Sequence, residues 1–121
     1  ERVSGPYPAA LKAAIIAKNY PLLRSKLTAS YSKQIEQAVE RGDTVSMVHR
    51  TAALLASYFD VLFALNELPH PGEKRQVRWA TAMCPLLPPR FEAEIEAVCT
   101  SCGNDRLGAV HRLLDSLDEI L

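Results

Sequence analysis

A chain of 121 residues has room for one domain, and a hydrophobic share of 48% is enough to build a core without disulfides or metals. Its 14 basic and 14 acidic residues cancel, which excludes the long-range field of a nucleic-acid binder or an anionic-membrane binder; nucleic acid is an unexpected partner. Three cysteines, Cys84, Cys99 and Cys102, cannot all pair within one molecule, so a reducing compartment is expected, with the cytoplasm as the default.

No membrane partner is expected either. Apolar runs such as 61–65 are interrupted by Asp60, Asn66 and Glu67, far short of the roughly 20 residues of a span. The chain opens on Glu1 instead of a methionine, which suggests residues upstream that could hold chemistry. Residues 1–121 therefore read as one helical domain, the C-terminal part of a longer protein.

Apolar spacing is helical nearly everywhere and predicts an all-α chain, an antiparallel up-and-down bundle of four main helices with one or two short ones. A short first helix is predicted over about 8–18, with Leu11, Ala14 and Ile15 on one face. Pro21 fits the first turn of a long second helix, in which Leu23, Leu27, Tyr31, Ile35 and Ala38 recur toward Gly42. Asp43 is the expected N-cap of a third helix reaching about Leu68, apolar on most of its circumference and therefore central. A fourth is predicted from Glu73 to about Cys84, a fifth from Phe91 toward Gly103 with Cys102 in its apolar stripe, and a last one capped by Asn104 or Asp105.

The stretch most able to carry chemistry runs from Ala56 to Arg75. Two prolines stiffen the chain around His70, and Gly72 permits a turn that other residues resist. His70 could orient or protonate a ligand group. Lys74 and Arg75 could meet phosphate oxygens, helped by the free amides of the helix expected to begin there. The alternative is a stiff interhelical turn with solvated charges.

His49, Ala53, Ser57, Asp60, Ala64 and Glu67 share one stripe of the third helix. A groove of small residues with two carboxylates would suit a cationic or polyhydroxylated small molecule. Equally, the alanines and serine would let another helix approach, leaving Asp60 and Glu67 at a wet margin.

The run Tyr58-Phe59-Asp60-Val61-Leu62-Phe63-Ala64-Leu65-Asn66, followed by His70-Pro71-Gly72-Glu73-Lys74-Arg75, resembles the C-terminal helical, substrate-binding region of a family of bacterial nucleotidyltransferases of uncharacterised substrate, related to the kanamycin nucleotidyltransferases. The resemblance takes in the lead-in Gly5-Pro6-Tyr7-Pro8 and the region from Cys84 to Pro89. It implies a substrate site that includes Ser57, Tyr58, Asp60, Glu67 and His70, with Lys74 and Arg75 toward the nucleotide phosphates. It also implies ATP and Mg bound by a separate catalytic domain, in cis or in trans, that carries a Gly-Ser turn and paired aspartates. This chain has no such signature, so no catalytic residue, metal ligand or cofactor of its own is expected, and it is not expected to catalyse transfer alone.

Two other classes compete. A helical interaction or dimerisation module, a homodimer included, needs no site at all. Arg106 and His111 resemble the arginine-to-histidine spacing of toxin-type helical ribonucleases, although Leu107 stands where a polar residue is usual there. Cys99-Thr100-Ser101-Cys102 has the spacing of many zinc sites but lacks a second pair, and buried structural thiols are the simpler reading. Trp79, with Arg75 and Arg78, could stack on a base, or be partly buried core.

Overall fold

The structure is a computed structural model that describes residues 7–121; Gly5 and Pro6 of the lead-in lie outside the described residues. Six helices occur, with no strand among the described residues: α1 Ala9–Leu23, α2 Tyr31–Glu40, α3 Thr44–Leu65, α4 Gln76–Met83, α5 Phe91–Thr100 and α6 Gly103–Ile120. Both α1 and α2 lie against α3, α2 also meets α6, and α6 pairs with α5.

The central place expected for α3 is observed. Leu54, Tyr58, Val61 and Leu62 are fully buried, and Phe59, Phe63 and Ala64 nearly so. By length and apolarity α3 would also pass for a membrane span, at a mean hydropathy of 1.2 over its best window, but more than half of that window is buried inside the protein. Tyr58, Phe59 and Phe91 form an aromatic cluster, with Tyr58 stacked on Phe91 at 6.4 Å and Phe59 edge-on to both. From α6, Val110, Leu113, Leu114 and Leu117 complete the core.

Asp43 caps α3 as expected, its Oδ1 accepting from the Ser46 amide at 3.1 Å. That hydrogen bond, with the Arg41 guanidinium beside it, holds the Asp43 carboxyl below its ordinary range. Gly42 leaves α2 at φ 68°, with Gly42 N–H bonded to Val39 C=O and Asp43 N–H to Ala38 C=O, the hydrogen bonds of a Schellman end.

The second predicted helix is corrected. Pro21 lies inside α1, which runs on to Leu23, and α2 begins only at Tyr31. Tertiary anchors outweigh the proline: Leu23 is fully buried, and Arg24 forks onto Asp115 at 2.9 Å and Asp118 at 3.0 Å while donating to the His111 carbonyl. Tyr20 donates to Asp118, and burial together with that bond pushes its hydroxyl up to about 12. Beyond Arg24, Ser25 Oγ accepts from the Leu27 and Thr28 amides, a turn that leaves Leu27 95% exposed, and Ser30 caps α2 through the Lys33 amide.

Side chains on α1 also differ from expectation. Leu11 and Ala14 are exposed and Ile15 is half-buried, while Asn19 and Leu23 are its buried residues. At the other end, Cys102 is exposed and precedes α6, so neither Asn104 nor Asp105 caps that helix.

Asn66 ties the proline-rich connection after α4 to the end of α3. Its Nδ2 donates to Leu86 C=O at 2.9 Å and to Leu62 C=O at 2.8 Å, and its Oδ1 accepts from Leu86 N–H at 2.7 Å. A single side chain thereby fixes both backbone groups of a residue 20 positions away.

Candidate functional site

A groove of about 210 Å³ opens between the N-terminal stretch with α1 on one side and the last turns of α3 with the loop after it on the other. Tyr7, Ile15, Lys18 and Asn19 line the first wall; Asp60, Phe63, Ala64, Leu68 and His70 line the second. Lys18 and Asp60 put opposite charges on facing walls. Asn19 is buried here because its Nδ2 donates back to Ile15 C=O at 3.0 Å, one turn earlier in the helix.

His70 is held from three sides. Its Nδ1 accepts from the Gly72 amide at 3.0 Å, and the ring lies edge-to-face on Phe63 with centroids 5.5 Å apart. Accepting at Nδ1 places the proton of the neutral imidazole on Nε2. Gln76 Nε2 stands 3.0 Å from His70 Nε2; with the proton on that ring nitrogen, the carboxamide must turn so that its oxygen accepts from it. Gly72 can supply its amide because it sits at φ 98°, a conformation that strains residues with a Cβ.

Asp60 Oδ1 stands 3.8 Å from His70 Nε2, with the two side chains 42% and 31% exposed. This is too long for a hydrogen bond. A hydroxyl entering between them would take the Nε2–H over from the Gln76 carboxamide and donate to the carboxylate, and an ammonium would pair with Asp60 directly. Asp60 and His70 are therefore the two expected site residues that the fold brings together.

The remaining expected residues go elsewhere. Tyr58 is core, fully buried against Phe59 and Phe91, and its hydroxyl is sealed without a partner. Burial drives that hydroxyl far above the ordinary phenol range, with the nearby Glu94 carboxylate adding to the effect. Ser57 is buried as well. Glu67 is exposed, does not line the groove, and pairs with Lys12 at 3.1 Å.

Lys74 and Arg75 are exposed on the loop and do not line the groove. Because α4 starts at Gln76 instead of Glu73, neither lies in a first helical turn; Arg75 precedes the helix in a left-handed conformation at φ 56°. The expected phosphate-facing amides are therefore not at these residues. Lys18, Asn19, Phe63 and Gln76 are among the site residues missed in the sequence. Asn19 alone carried a signal, as a polar residue on the apolar side of a helix, four positions after Ile15.

Arg106 and His111 lie on one regular helix, where five residues turn the side chains apart by about 140°. The backbone carbonyl of His111 serves the Arg24 fork. Cys99 and Cys102 are exposed, which corrects the expectation of buried thiols, whereas Cys84 is buried. Burial pushes the Cys84 thiol up to about 11; that of Cys99, exposed as a residue, is raised by partial desolvation of its sulfur and by the Glu96 carboxylate, and both shifts disfavour the thiolate that a metal or nucleophilic role needs. Among the described residues no group of three or more His, Cys, Asp and Glu is placed to hold a metal ion. No family model, curated protein or solved structure matches the chain.

Proposed function

We propose that this domain binds a small cationic or polyhydroxylated molecule in the groove between α1 and α3, and that it forms the acceptor-binding wall of a nucleotidyltransferase whose catalytic domain acts in cis or in trans. The observation that carries the reading is the Asp60–His70 pair, set 3.8 Å apart at the edge of a groove and oriented by Gly72, Gln76 and Phe63. Such a pair binds and aligns a hydroxyl. Asp60 accepts its hydrogen bond or holds a neighbouring ammonium, the His70 Nε2–H passes from the Gln76 carboxamide to its oxygen, and Lys18 offers a charge for an electron-rich group on the far wall.

The likeness of the run from Tyr58 to Arg75 to nucleotidyltransferase helical regions supports the transfer context. In that reading Mg and ATP belong to the catalytic domain, and Lys74 and Arg75 face that domain from the loop, outside the groove. The helices then form an antiparallel bundle with α4 at its margin, working in the cytoplasm. A second reading, an interaction or dimerisation module, is favoured by the outward face of α1, where Leu11, Ala13, Ala14 and Ala17 are exposed.

The test is amide chemical-shift mapping during titration with kanamycin and, separately, with ATP. Kanamycin is expected to move Lys18, Asn19, Asp60 and His70 together, with ATP producing no comparable set. Shifts confined to the outer face of α1 on raising protein concentration, with no response to kanamycin, would favour self-association instead.

A further inference from the structure

On the far side of the His70 ring lies a second recess of about 190 Å³, bounded by Pro71, Trp79 and Met83 together with Phe63, Leu68 and His70, which it shares with the groove. Its lining is almost wholly apolar, His70 being the only one of the described residues in it with an ionisable side chain. Trp79 and Met83 are four residues apart on one face of α4, and they remain 45% and 49% exposed because α4 buries only Ala80. Leaving a tryptophan and a methionine half in water over an apolar recess is unfavourable unless something covers them. The space suits one ring, since an apolar cavity of about 150 Å³ accepts benzene.

We propose that the ligand is an amine with an aromatic ring on a short spacer: its ammonium meets Asp60 in the groove, and its ring lies in the recess against Trp79 and Met83. This rests on the groove reading above and narrows it, because a purely polyhydroxylated amine would leave the recess empty. Adjacency selects the occupant. The two spaces share Phe63, Leu68 and His70 as lining, so a short spacer has only that common wall to cross. Met83 supplies an adaptable thioether and Trp79 a flat face, both suited to the edge or face of a ring.

The chain has a single tryptophan, so its fluorescence reports on the recess directly. The intact domain is titrated with 3-phenylpropylamine, propylamine and benzyl alcohol, and binding is followed by Trp79 emission and by amide shifts at Asp60. The aryl amine should bind at least tenfold tighter than propylamine and change the emission. Met83→Ala should remove that advantage while leaving propylamine binding unchanged, and Asp60→Asn should weaken the aryl amine tenfold but spare benzyl alcohol. Equal affinity for the two amines would overturn the recess assignment and leave the groove reading standing. Undiminished aryl-amine binding in Asp60→Asn would show an isolated apolar site and overturn the bridging ligand. Failure of both amines to shift Asp60 would sink the groove reading and this inference together.

Discussion

The chain leaves a helix by the same hydrogen-bond pattern at two places, with different residues. At the end of α2 the left-handed position is Gly42, at φ 68°. At the end of α3 it is Glu67, at φ 58°, with Glu67 N–H bonded to Ala64 C=O and Leu68 N–H to Phe63 C=O. The first turn is relaxed and leads straight into a capped helix. The second carries a side chain where glycine is easiest, and Arg75, a few residues on, adopts a left-handed conformation too, at φ 56°. Between these two positions sit His70 and its Gly72 bond. Strain therefore gathers in the loop after α3 and is missing from the turn between α2 and α3.

The largest effect is expected from the core. Tyr58→Ala should destabilise the domain by about 3–5 kcal/mol in chemical denaturation, as loss of a buried aromatic does. Tyr58→Phe should be neutral or mildly stabilising, because it removes a buried hydroxyl that has no partner. A large loss of ligand binding in the phenylalanine variant would contradict a purely structural role.

Next in size is Asn66→Ala, which cuts both bonds to Leu86 and should cost about 1–2 kcal/mol. Its effect belongs to the α3 end alone, so hydrogen exchange should quicken around Leu86 and stay unchanged at Gly42.

The two left-handed positions should answer a glycine test with opposite signs. Glu67→Gly should raise stability by about 0.5–1 kcal/mol after allowing for the lost Lys12 pair, and Gly42→Ala should lower it by about 1 kcal/mol. Among the described residues no atom within 4 Å would meet a Cβ at Gly42, so that cost is conformational and not steric. If both substitutions destabilise equally, the strain ascribed to the groove loop is absent.

The smallest expected effect is on pH dependence at the relaxed turn. The Asp43 carboxyl is held below its ordinary value of 3.8 in the folded state, so its cap contributes fully above that value and is lost as pH falls through the depressed one. Asp43→Asn should flatten the acid limb of the stability curve. An unchanged limb would remove Asp43 from the account.

Much of the fold was legible in the sequence because several signals agreed. At Gly42-Asp43 a helix-ending glycine, a capping aspartate and an apolar run coincide, and α3 starts where they say. Around Pro21 they conflict: the proline suggested a helix start, while the local bonds of Ser25 and Ser30 and the long-range fork of Arg24 set the actual breaks. Local hydroxyl turns could have been read; a fork onto residues about 90 positions away could not. Half of the central pair was visible through Asp60 and the other half through the proline-fixed His70. Lys18 and Gln76 were not visible, since their part depends on how α1 and α4 meet the end of α3.

If Asp60 and His70 make one ligand site, calorimetric titration of kanamycin should show binding to wild-type protein and affinity at least tenfold weaker in Asp60→Asn, with identical helical circular dichroism for both. Equal affinities, or no heat from either protein, would contradict it.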